Sequence, residues 1–290
     1  MIDRLKTLKT GMGGVLAIAG CALVVAVGSA VSMAAEANFE RVLRVSGRVE
    51  LSVATGSGYI HIHRGSAGAV RVVGHVRPGW GQTDDKAREV AANPPVQQTG
   101  NIIRIGFQHN APRNLSIDYD VEAPEGAILD AATGSGDIAD EGVGQGVKLS
   151  TGSGAIRATG VHGDARLETG SGNISLDQSG AGDVKAEAGS GSIDLHHLQG
   201  ALKAETGSGS IRAEGTPQTG WKLETGSGSV EVWTGGASFN LDAESGSGHI
   251  QSDRPLSGGS AEGHHHLTGS VGGGGPLVRI GTGSGSIHVH

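Results

Sequence analysis

A four-residue motif, Thr-Gly-Ser-Gly, recurs through this chain at nearly constant spacing, and its copies keep one phase. Its nine copies start at Thr55, Thr133, Thr151, Thr169, Ala188, Thr206, Thr225, Ser245 and Thr282, with Ala or Ser replacing the first residue at 188 and 245. From Thr133 to Ser245 the steps are 18 to 20 residues, and the outer steps of 78 and 37 residues are close to four and two periods. A repeat of this length is typical of a stacked array, in which each unit buries its apolar face against its neighbours.

Apolar residues keep the same phase as the motif. Positions two and four residues before each motif start are apolar, and a spacing of two marks one face of a β-strand. Five residues after each start stands a β-branched residue of the type that favours strands. Seven of these residues form the predicted core ladder: Ile138, Ile156, Ile174, Ile193, Ile211, Val230 and Ile250. Each period therefore predicts two short strands, one on each side of the Gly-Ser-Gly corner.

The predicted fold class is all-β, a single-stranded parallel β-solenoid (β-helix) with coils of 18–20 residues, stacked about 4.8 Å apart. Glycine accounts for 53 of 290 residues, and repeated glycines disfavour a helical array. With only three Trp, two Tyr and three Phe, we expect a narrow core into which aromatic side chains do not fit. We expect corner glycines to allow positive φ or close backbone approach and corner serines to bond the backbone. The corner residues of the first three regular copies are Gly134, Ser135, Gly136, Gly152, Ser153, Gly154, Gly170, Ser171 and Gly172.

Residues 1–37 form a separate segment with the pattern of an export signal. Three basic residues precede an apolar run that extends to Met33, and small residues follow it. We predict cleavage near Ala34 or Ala37. Two alternatives remain open: an uncleaved membrane anchor, since about 20 apolar residues span a bilayer, and lipidation at Cys21, the only cysteine, which ends a lipobox-like Ile-Ala-Gly-Cys.

Two further segments follow the predicted signal. Residues 38–132 contain one motif copy and are predicted to form irregular coils and a cap. The cap includes a short helix over Thr83–Ala92, with Thr83 or Asp84 as N-cap and a stop at the following Asn-Pro-Pro. Residues 133–290 are predicted to form regular coils with a Gly/His-rich insertion at 255–276, interpreted as one degenerate coil with a mobile loop.

The sequence resembles the bacterial β-strand-repeat proteins known as putative adhesins, a family of unknown function. The resemblance spans Phe39 to His290. Its carriers are the opening Phe39–Leu51, the Asp120–Gly126 step (Asp-Val-Glu-Ala-Pro-Glu-Gly) and the Thr-Gly-Ser-Gly-x-Ile array. The resemblance implies an exported solenoid at the cell envelope, with no enzymatic activity and no established binding residues.

Outward-facing strand positions carry charge in register. An acidic row precedes the motif by one residue and a basic row precedes it by three, so that stacking places the two rows side by side. We expect a self-neutralising face, with a binding face for glycan, surface polymer or cation as the alternative. The acidic residues are Glu168, Glu187, Glu205, Glu224 and Glu244, and the basic residues are Lys148, Arg166, Lys185, Lys203 and Lys222.

The sequence predicts no metal site and no cofactor. A calcium β-roll needs ligand oxygens where this repeat has a hydrophobe. Two histidine pairs, His61 with His63 and His288 with His290, each share a strand face, but they lie near opposite ends of the array and are not expected to meet. We interpret them as exposed polar residues. The run of three histidines at 264–266 falls in the insertion.

Catalysis is not expected either, because the chain lacks a Gly-x-Ser-x-Gly elbow and a phosphate-binding loop. Without residues 1–37 the chain has 19 basic and 27 acidic residues, a balance that does not attract nucleic acid. We predict an exported, non-catalytic, adhesin-like module of the periplasm, cell surface or extracellular space. Its expected partner is a cell-surface polymer or envelope protein, and it meets a membrane only through an uncleaved N-terminal segment. The alternatives are a structural spacer without a specific ligand and a polysaccharide-acting enzyme.

Overall fold

The computed structural model describes residues 37–79, 81–106, 115–262 and 264–290, and the predicted signal segment lies outside these ranges apart from Ala37. Within them, secondary structure consists of 26 strands and one α-helix, α1 (Asp84–Ala92). None of the described helical residues forms a helix long and apolar enough to cross a bilayer.

The strands fall into three stretches of the chain. The first seven are β1 (Ala37–Arg44), β2 (Glu50–Ser57), β3 (Ile60–Arg64), β4 (Ala69–Pro78), β5 (Val96–Thr99), β6 (Ile102–Ile105) and β7 (Leu115–Ala123). The repeats give β8 (Ile128–Ser135), β9 (Ile138–Glu141), β10 (Gly146–Ser153), β11 (Ile156–Val161), β12 (Asp164–Ser171), β13 (Ile174–Gln178), β14 (Val184–Ser190), β15 (Ile193–Leu198), β16 (Leu202–Ser208), β17 (Ile211–Gly215), β18 (Trp221–Ser227) and β19 (Val230–Trp233). The last seven are β20 (Phe239–Ser247), β21 (Ile250–Ser252), β22 (Leu256–Ser257), β23 (Ala261–Glu262), β24 (His266–Val271), β25 (Leu277–Ser284) and β26 (Ile287–Val289).

The described strands form two long sheets, and successive strands of the repeats alternate between them. One sheet has 12 strands in the order β1-β4-β7-β3-β9-β11-β13-β15-β17-β19-β26-β21. The other has 14, in the order β22-β24-β20-β25-β18-β16-β14-β12-β10-β8-β2-β6-β5, with β23 paired to β24. The repeats pair in parallel, so the all-β architecture with long parallel sheets follows the predicted class.

Equivalent residues of neighbouring repeats stack in register, as the phase predicts. Ile138 lies opposite Ile156, which lies opposite Ile174, and the same row continues through Ile193 and Ile211. These five side chains are buried. The apolar positions of β8 to β18 form matching rows on the inner face of the other sheet, so the core is bounded by the two inward faces.

The first motif copy stacks directly on the second, although 78 residues separate them. Thr55 lies opposite Thr133 in the β2–β8 ladder. The intervening residues do not add four coils between these two copies. Strand β3 continues the first repeat, and β6 and β7 pair in parallel with β2 and β3 on the other side of that repeat. Strand β4 pairs antiparallel with β7 and with β1, which precedes the motif, while β5 forms a hairpin with β6 and α1 packs on β4 and β1. The helix begins after its N-cap Thr83 and ends at Ala92, with Asn93 as C-cap, which confirms the predicted helix and its stop.

The last motif copy lies inside the stack and not at its end. Strand β25 pairs in parallel with β18 on one side and with β20 on the other, and β26 lies between β19 and β21. Residues 255–276 do not form the expected degenerate coil. Their strands β22 and β24 are antiparallel, and β24 covers the edge of β20. Strand β20 is therefore hydrogen-bonded on both sides, to β25 on one edge and to β24 on the edge that has no further repeat.

Aromatic side chains do enter the core, so the expectation that they do not fit is wrong. Trp221 is 1% exposed and stacks between Leu202 and Val278. Its Nε1 donates a hydrogen bond of 3.0 Å to the carbonyl of Gly200, which satisfies the polar atom of a buried indole. Phe39 fits opposite Gly74, where a Cβ would overlap the phenyl ring. A glycine on the neighbouring strand thus provides room that the repeat spacing does not reveal.

Candidate interaction face

Alternating residues of the 14-stranded sheet face outwards and form two parallel rows, which together we call the charged ladder. The basic row runs without interruption over β10, β12, β14, β16 and β18, through Lys148, Arg166, Lys185, Lys203 and Lys222. The acidic row holds Glu168, Glu187, Glu205 and Glu224 on β12 to β18. Because register is kept, like residues repeat at the strand spacing of about 4.8 Å.

The acidic row is shorter than the sequence suggests. Gly281 of β25 lies between Glu224 and Glu244, because the last repeat is inserted there. The inserted strand instead extends the basic row with Arg279, a residue that the sequence analysis did not include. Arg279 Nη2 lies 2.8 Å from Asp242 Oδ2 on β20.

Each glutamate of the ladder pairs with the basic residue two positions earlier on its own strand. The N–O distances are 2.5 Å for Arg166–Glu168, 2.7 Å for Lys185–Glu187, 2.9 Å for Lys203–Glu205 and 2.8 Å for Lys222–Glu224. Longer contacts of 3.4 Å join neighbouring strands, from Lys203 to Glu187 and from Lys222 to Glu205. From Lys185 to Glu224 the two rows therefore form one network of opposite charges, and the Arg166–Glu168 pair extends the same pattern on β12.

The network affects the protonation of its central members. A hydrogen bond from Lys185 holds the pKa of Glu187 below its ordinary value, and Lys203 lowers the pKa of Glu205 in the same way. Hydrogen bonds to Glu205 and Glu224 raise the pKa of Lys203 and Lys222, respectively. The face stays ionised near neutral pH while its charges cancel locally.

An open groove of about 730 Å³ runs along the stack beside the acidic row. Its wall is formed by the four stacked glutamates, and its floor by residues at the first two motif positions, which are threonine or Ala188 and then glycine, from Thr151 to Gly226. The glycines of the floor are required for the repeats to stack this closely. A Cβ at Gly170 would lie 2.5 Å from the carbonyl oxygen of Gly152 on the preceding repeat, so a larger residue does not fit.

The hydroxyl at the first motif position, which is threonine in most copies and serine at Ser245, bonds the corner backbone, and the serine of the Gly-Ser-Gly corner does not do so in the described copies. The hydroxyl of Thr151 donates to the carbonyl of Gly136 at 2.9 Å, and Thr169 donates to Gly154 at 3.0 Å. The motif serines at 135 and 153 are exposed, so the expected serine bonds are corrected to threonine bonds. The second motif glycine has positive φ, for example +144° at Gly191, which is a conformation that glycine adopts without strain.

The histidine pairs lie on the outer face of the other sheet, near its two ends, and do not meet. Each pair gains a carboxylate from an adjacent strand. His61 and His63 lie beside Asp120 of β7, and His288 and His290 lie beside Asp253, which follows β21. Sequence reasoning missed both carboxylates because β7 and β21 adjoin these strands out of chain order. His264 and His265 are exposed, whereas His266 contacts Asp242 at 3.1 Å.

Asp140 is a further residue that sequence reasoning missed. It occupies an inward position of β9, between Ile62 and Ala158, and is 0% exposed. Burial raises the pKa of its carboxyl to about 8, partly opposed by the backbone N–H of Val143. The sequence does indicate that Asp140 is unusual, because it stands seven residues after a motif start, where most other copies carry an apolar residue.

Solved structures with similar chain traces include three bacterial proteins. One is described as a putative cell adhesion protein from Clostridium sporogenes, at 12% identity and a TM-score of 0.25, covering 87% of this chain and 98% of its own. The others are described as putative adhesins: one from Bacteroides fragilis (13% identity, TM-score 0.32) and one from Parabacteroides distasonis (12%, 0.31). Each covers 87% of this chain and 97% of its own.

Sequence comparison gives a more direct result. A search of curated protein sequences finds no match. The sequence profile of Toastrack DUF4097 matches residues 99–290, which begin just before β6 and include every regular repeat. The match extends over more than half of the chain, and the chain therefore belongs to the Toastrack DUF4097 family.

Proposed function

We propose that this protein is an exported, non-catalytic, adhesin-like module whose groove beside the charged ladder binds an extended polymer of the cell envelope. The observation that carries the proposal is the groove itself. Four equivalent glutamates, Glu168, Glu187, Glu205 and Glu224, line it at a constant interval, and its floor carries only small residues: threonine, Ala188 and glycine. In this proposal the two sheets are faces of one parallel β-solenoid, and its length sets the number of equivalent subsites.

The ligand chemistry that fits is a hydroxyl-rich polysaccharide. Ionised carboxylates accept hydrogen bonds from hydroxyl groups, and such charge-assisted bonds are stronger than neutral ones. The basic partners, Arg166 and three lysines, neutralise the ladder, so an uncharged polymer can approach without competing for counterions. A groove open along its whole length also admits a chain longer than the protein, as an envelope interaction requires.

A structural spacer without a ligand is the second candidate, and one observation favours it. Every glutamate of the ladder already has a basic partner at 2.5–2.9 Å, so the face is saturated in the absence of any polymer. Under this alternative the ladder serves only to keep a long flat surface soluble. The two candidates differ in whether changes in the groove affect binding.

Co-sedimentation with purified envelope polysaccharide tests the choice. The double variant Glu187→Gln/Glu205→Gln keeps the shape of the groove and removes two of its carboxylates. The matched control, Glu214→Gln/Glu231→Gln, makes the same chemical change on β17 and β19 of the other sheet. We expect the groove variant to lose at least tenfold in affinity and the control to bind as the wild type does. Equal binding by all three proteins, or no binding by any, would support the spacer.

A further inference from the structure

His61, His63 and Asp120 form a compact donor set on the outer face of the 12-stranded sheet, which we call the N-terminal histidine cluster. One donor atom from each residue lies within 4.8 Å of the other two. His63 Nδ1 and Asp120 Oδ1 are 3.2 Å apart. Two ligand atoms on a tetrahedral zinc ion, each about 2.0–2.1 Å from the metal, are about 3.3 Å apart. His63 Nδ1 and Asp120 Oδ1 are therefore already separated by the distance expected of two ligands to one ion.

The strand geometry explains why the three side chains converge. His61 and His63 are two residues apart on β3, and alternation places both rings on the same outward face. Their ring centroids are 5.3 Å apart. Asp120 lies directly opposite His61 in the parallel β3–β7 ladder, and on the other side of His61 stands the small Ala139.

Two ring nitrogens of the cluster lack the partners that such atoms require. His61 Nε2 and His63 Nδ1 are shielded from solvent, and neither has a hydrogen-bond partner in the described part of the chain. The 3.2 Å approach of Asp120 does not have the direction of a hydrogen bond, although its distance is short. Shielded polar atoms are normally satisfied, so two such atoms facing one carboxylate indicate a ligand between them.

The surrounding charges favour a cation. Glu141 Oε1 lies 3.5 Å from His61 Nε2, and Glu122 Oε1 lies 3.7 Å from His63 Nε2. Arg71 holds Glu122 at 2.8 Å and so neutralises one carboxylate, whereas Asp120 and Glu141 have only histidines as charged partners among the described residues. With neutral imidazoles the site carries a net negative charge.

We propose that the N-terminal histidine cluster binds a divalent transition metal, with His61, His63 and Asp120 as ligands. Two imidazoles and one carboxylate suit Zn²⁺, Cu²⁺, Ni²⁺ or Fe²⁺, and not Ca²⁺ or Mg²⁺, which take all-oxygen shells. Three protein ligands leave coordination positions open on an exposed sheet face. The site lies on the sheet opposite the charged ladder, and it is therefore independent of polymer binding.

The cluster at the other end of this sheet provides a matched comparison. Asp253 Oδ1 lies 3.0 Å from His288 Nε2, but Asp253 Oδ2 is already hydrogen-bonded to His290 Nδ1 at 3.0 Å. The His290 ring also stacks on Trp233, with 4.4 Å between centroids and 7° between planes. One of its ring nitrogens is thus engaged and its orientation is fixed, so His288 is a suitable control position of the same residue type.

Titration calorimetry of the full chain with Zn²⁺ tests the proposal, in protein without a polyhistidine tag and with His264→Ala/His265→Ala to remove exposed histidines. We expect a stoichiometric site that His63→Ala abolishes and that the isosteric Asp120→Asn weakens at least tenfold. His288→Ala should retain it. Co²⁺ provides a second readout, because bound tetrahedral Co²⁺ absorbs strongly in the visible range, and this absorption should disappear in His63→Ala.

His63→Ala and Asp120→Asn lie on the outward face of β3 and β7, and His288→Ala lies on that of β26, so far-UV circular dichroism identical to that of the wild type establishes that each is folded. Identical Zn²⁺ titrations of the wild type, His63→Ala and Asp120→Asn would overturn the proposal. Loss of the site in His288→Ala with retention in His63→Ala would overturn it as well, as would the absence of stoichiometric binding in the wild type.

Discussion

Asp140 makes the stability of this protein depend on pH in an unusual direction. Its carboxyl has a pKa of about 8 in the native state, because it is buried between Ile62 and Ala158. No side chain among the described residues bonds its oxygens. In the unfolded chain an aspartate titrates near about 3.9. Between these two values the native state keeps a proton that the unfolded state has released.

The sign of the effect follows from proton linkage. Below about pH 4 both states are protonated, and the group contributes no pH dependence. From there to about pH 8 the free energy of unfolding falls by up to about 1.4 kcal/mol per pH unit, because only the unfolded state releases the proton. Above pH 8 both states are ionised, and the loss of stability is constant. Over the three units from pH 5 to pH 8 the native state loses about 2–4 kcal/mol, the lower figure applying if the native carboxyl gains partial access to water.

The perturbation that isolates this term is Asp140→Asn, which keeps the shape of the side chain and removes its ionisation. Urea unfolding followed by far-UV circular dichroism, at pH 5.0, 6.5 and 8.0, gives the free energy of unfolding of both proteins. We expect the advantage of the variant over the wild type to grow by about 2–4 kcal/mol across this range. Glu231→Gln on β19, an exposed position, should differ from the wild type by less than about 0.5 kcal/mol throughout. Parallel curves for Asp140→Asn and the wild type would refute the reasoning.

Three other substitutions test the corner and the core, each by its thermal or urea midpoint. Ala188→Thr should stabilise the protein by about 1 kcal/mol, because the new hydroxyl would donate a hydrogen bond to the carbonyl of Gly172, as the threonines of the neighbouring repeats do to their glycines. The control Ala188→Val cannot form that bond and should not be more stable than the wild type. Gly191→Ala should destabilise by about 3 kcal/mol or more, since φ is +144° and a Cβ would overlap the Gly172 carbonyl, whereas Gly126→Ala meets open space and should be near neutral. Ile193→Asp should destabilise by more than about 4 kcal/mol by placing an unpaired charge in the buried ladder, and an unchanged midpoint would show the register to be wrong.

Residues that obey the repeat could be predicted from sequence because phase alone determines their environment. The positions of Ile193 and Ile211 in one ladder follow from counting, and so does the pairing of Lys203 with Glu205 on one strand. The helix after Thr83 was equally accessible, since its cap and stop are local signals. These features depend on neighbours within a few residues or within one period.

The order of the repeats in space could not be obtained in this way. Every copy presents nearly the same edge for pairing. The number of residues between two copies therefore does not show whether those residues add coils between the copies or form other structure while the copies pair directly. Thr55 therefore lies beside Thr133, and Gly281 separates Glu224 from Glu244. The histidine clusters depend on the same non-sequential pairings, since Asp120 and Asp253 reach them from strands that are not adjacent in the chain.

The position of β25 and β26 has a consequence for how the chain folds. Residues 277–289 complete an interior layer, although they are synthesised after β20 and β21, which flank that layer on its far side. During synthesis the Ser245 repeat meets the exposed edge of the Thr225 repeat first, and both present the same motif. Docking there would produce a well-paired but wrong arrangement that must reopen before the last repeat can enter. The regularity that stabilises the finished stack thus also provides a kinetic trap, and refolding should contain a slow phase that disappears when residues 277–289 are removed.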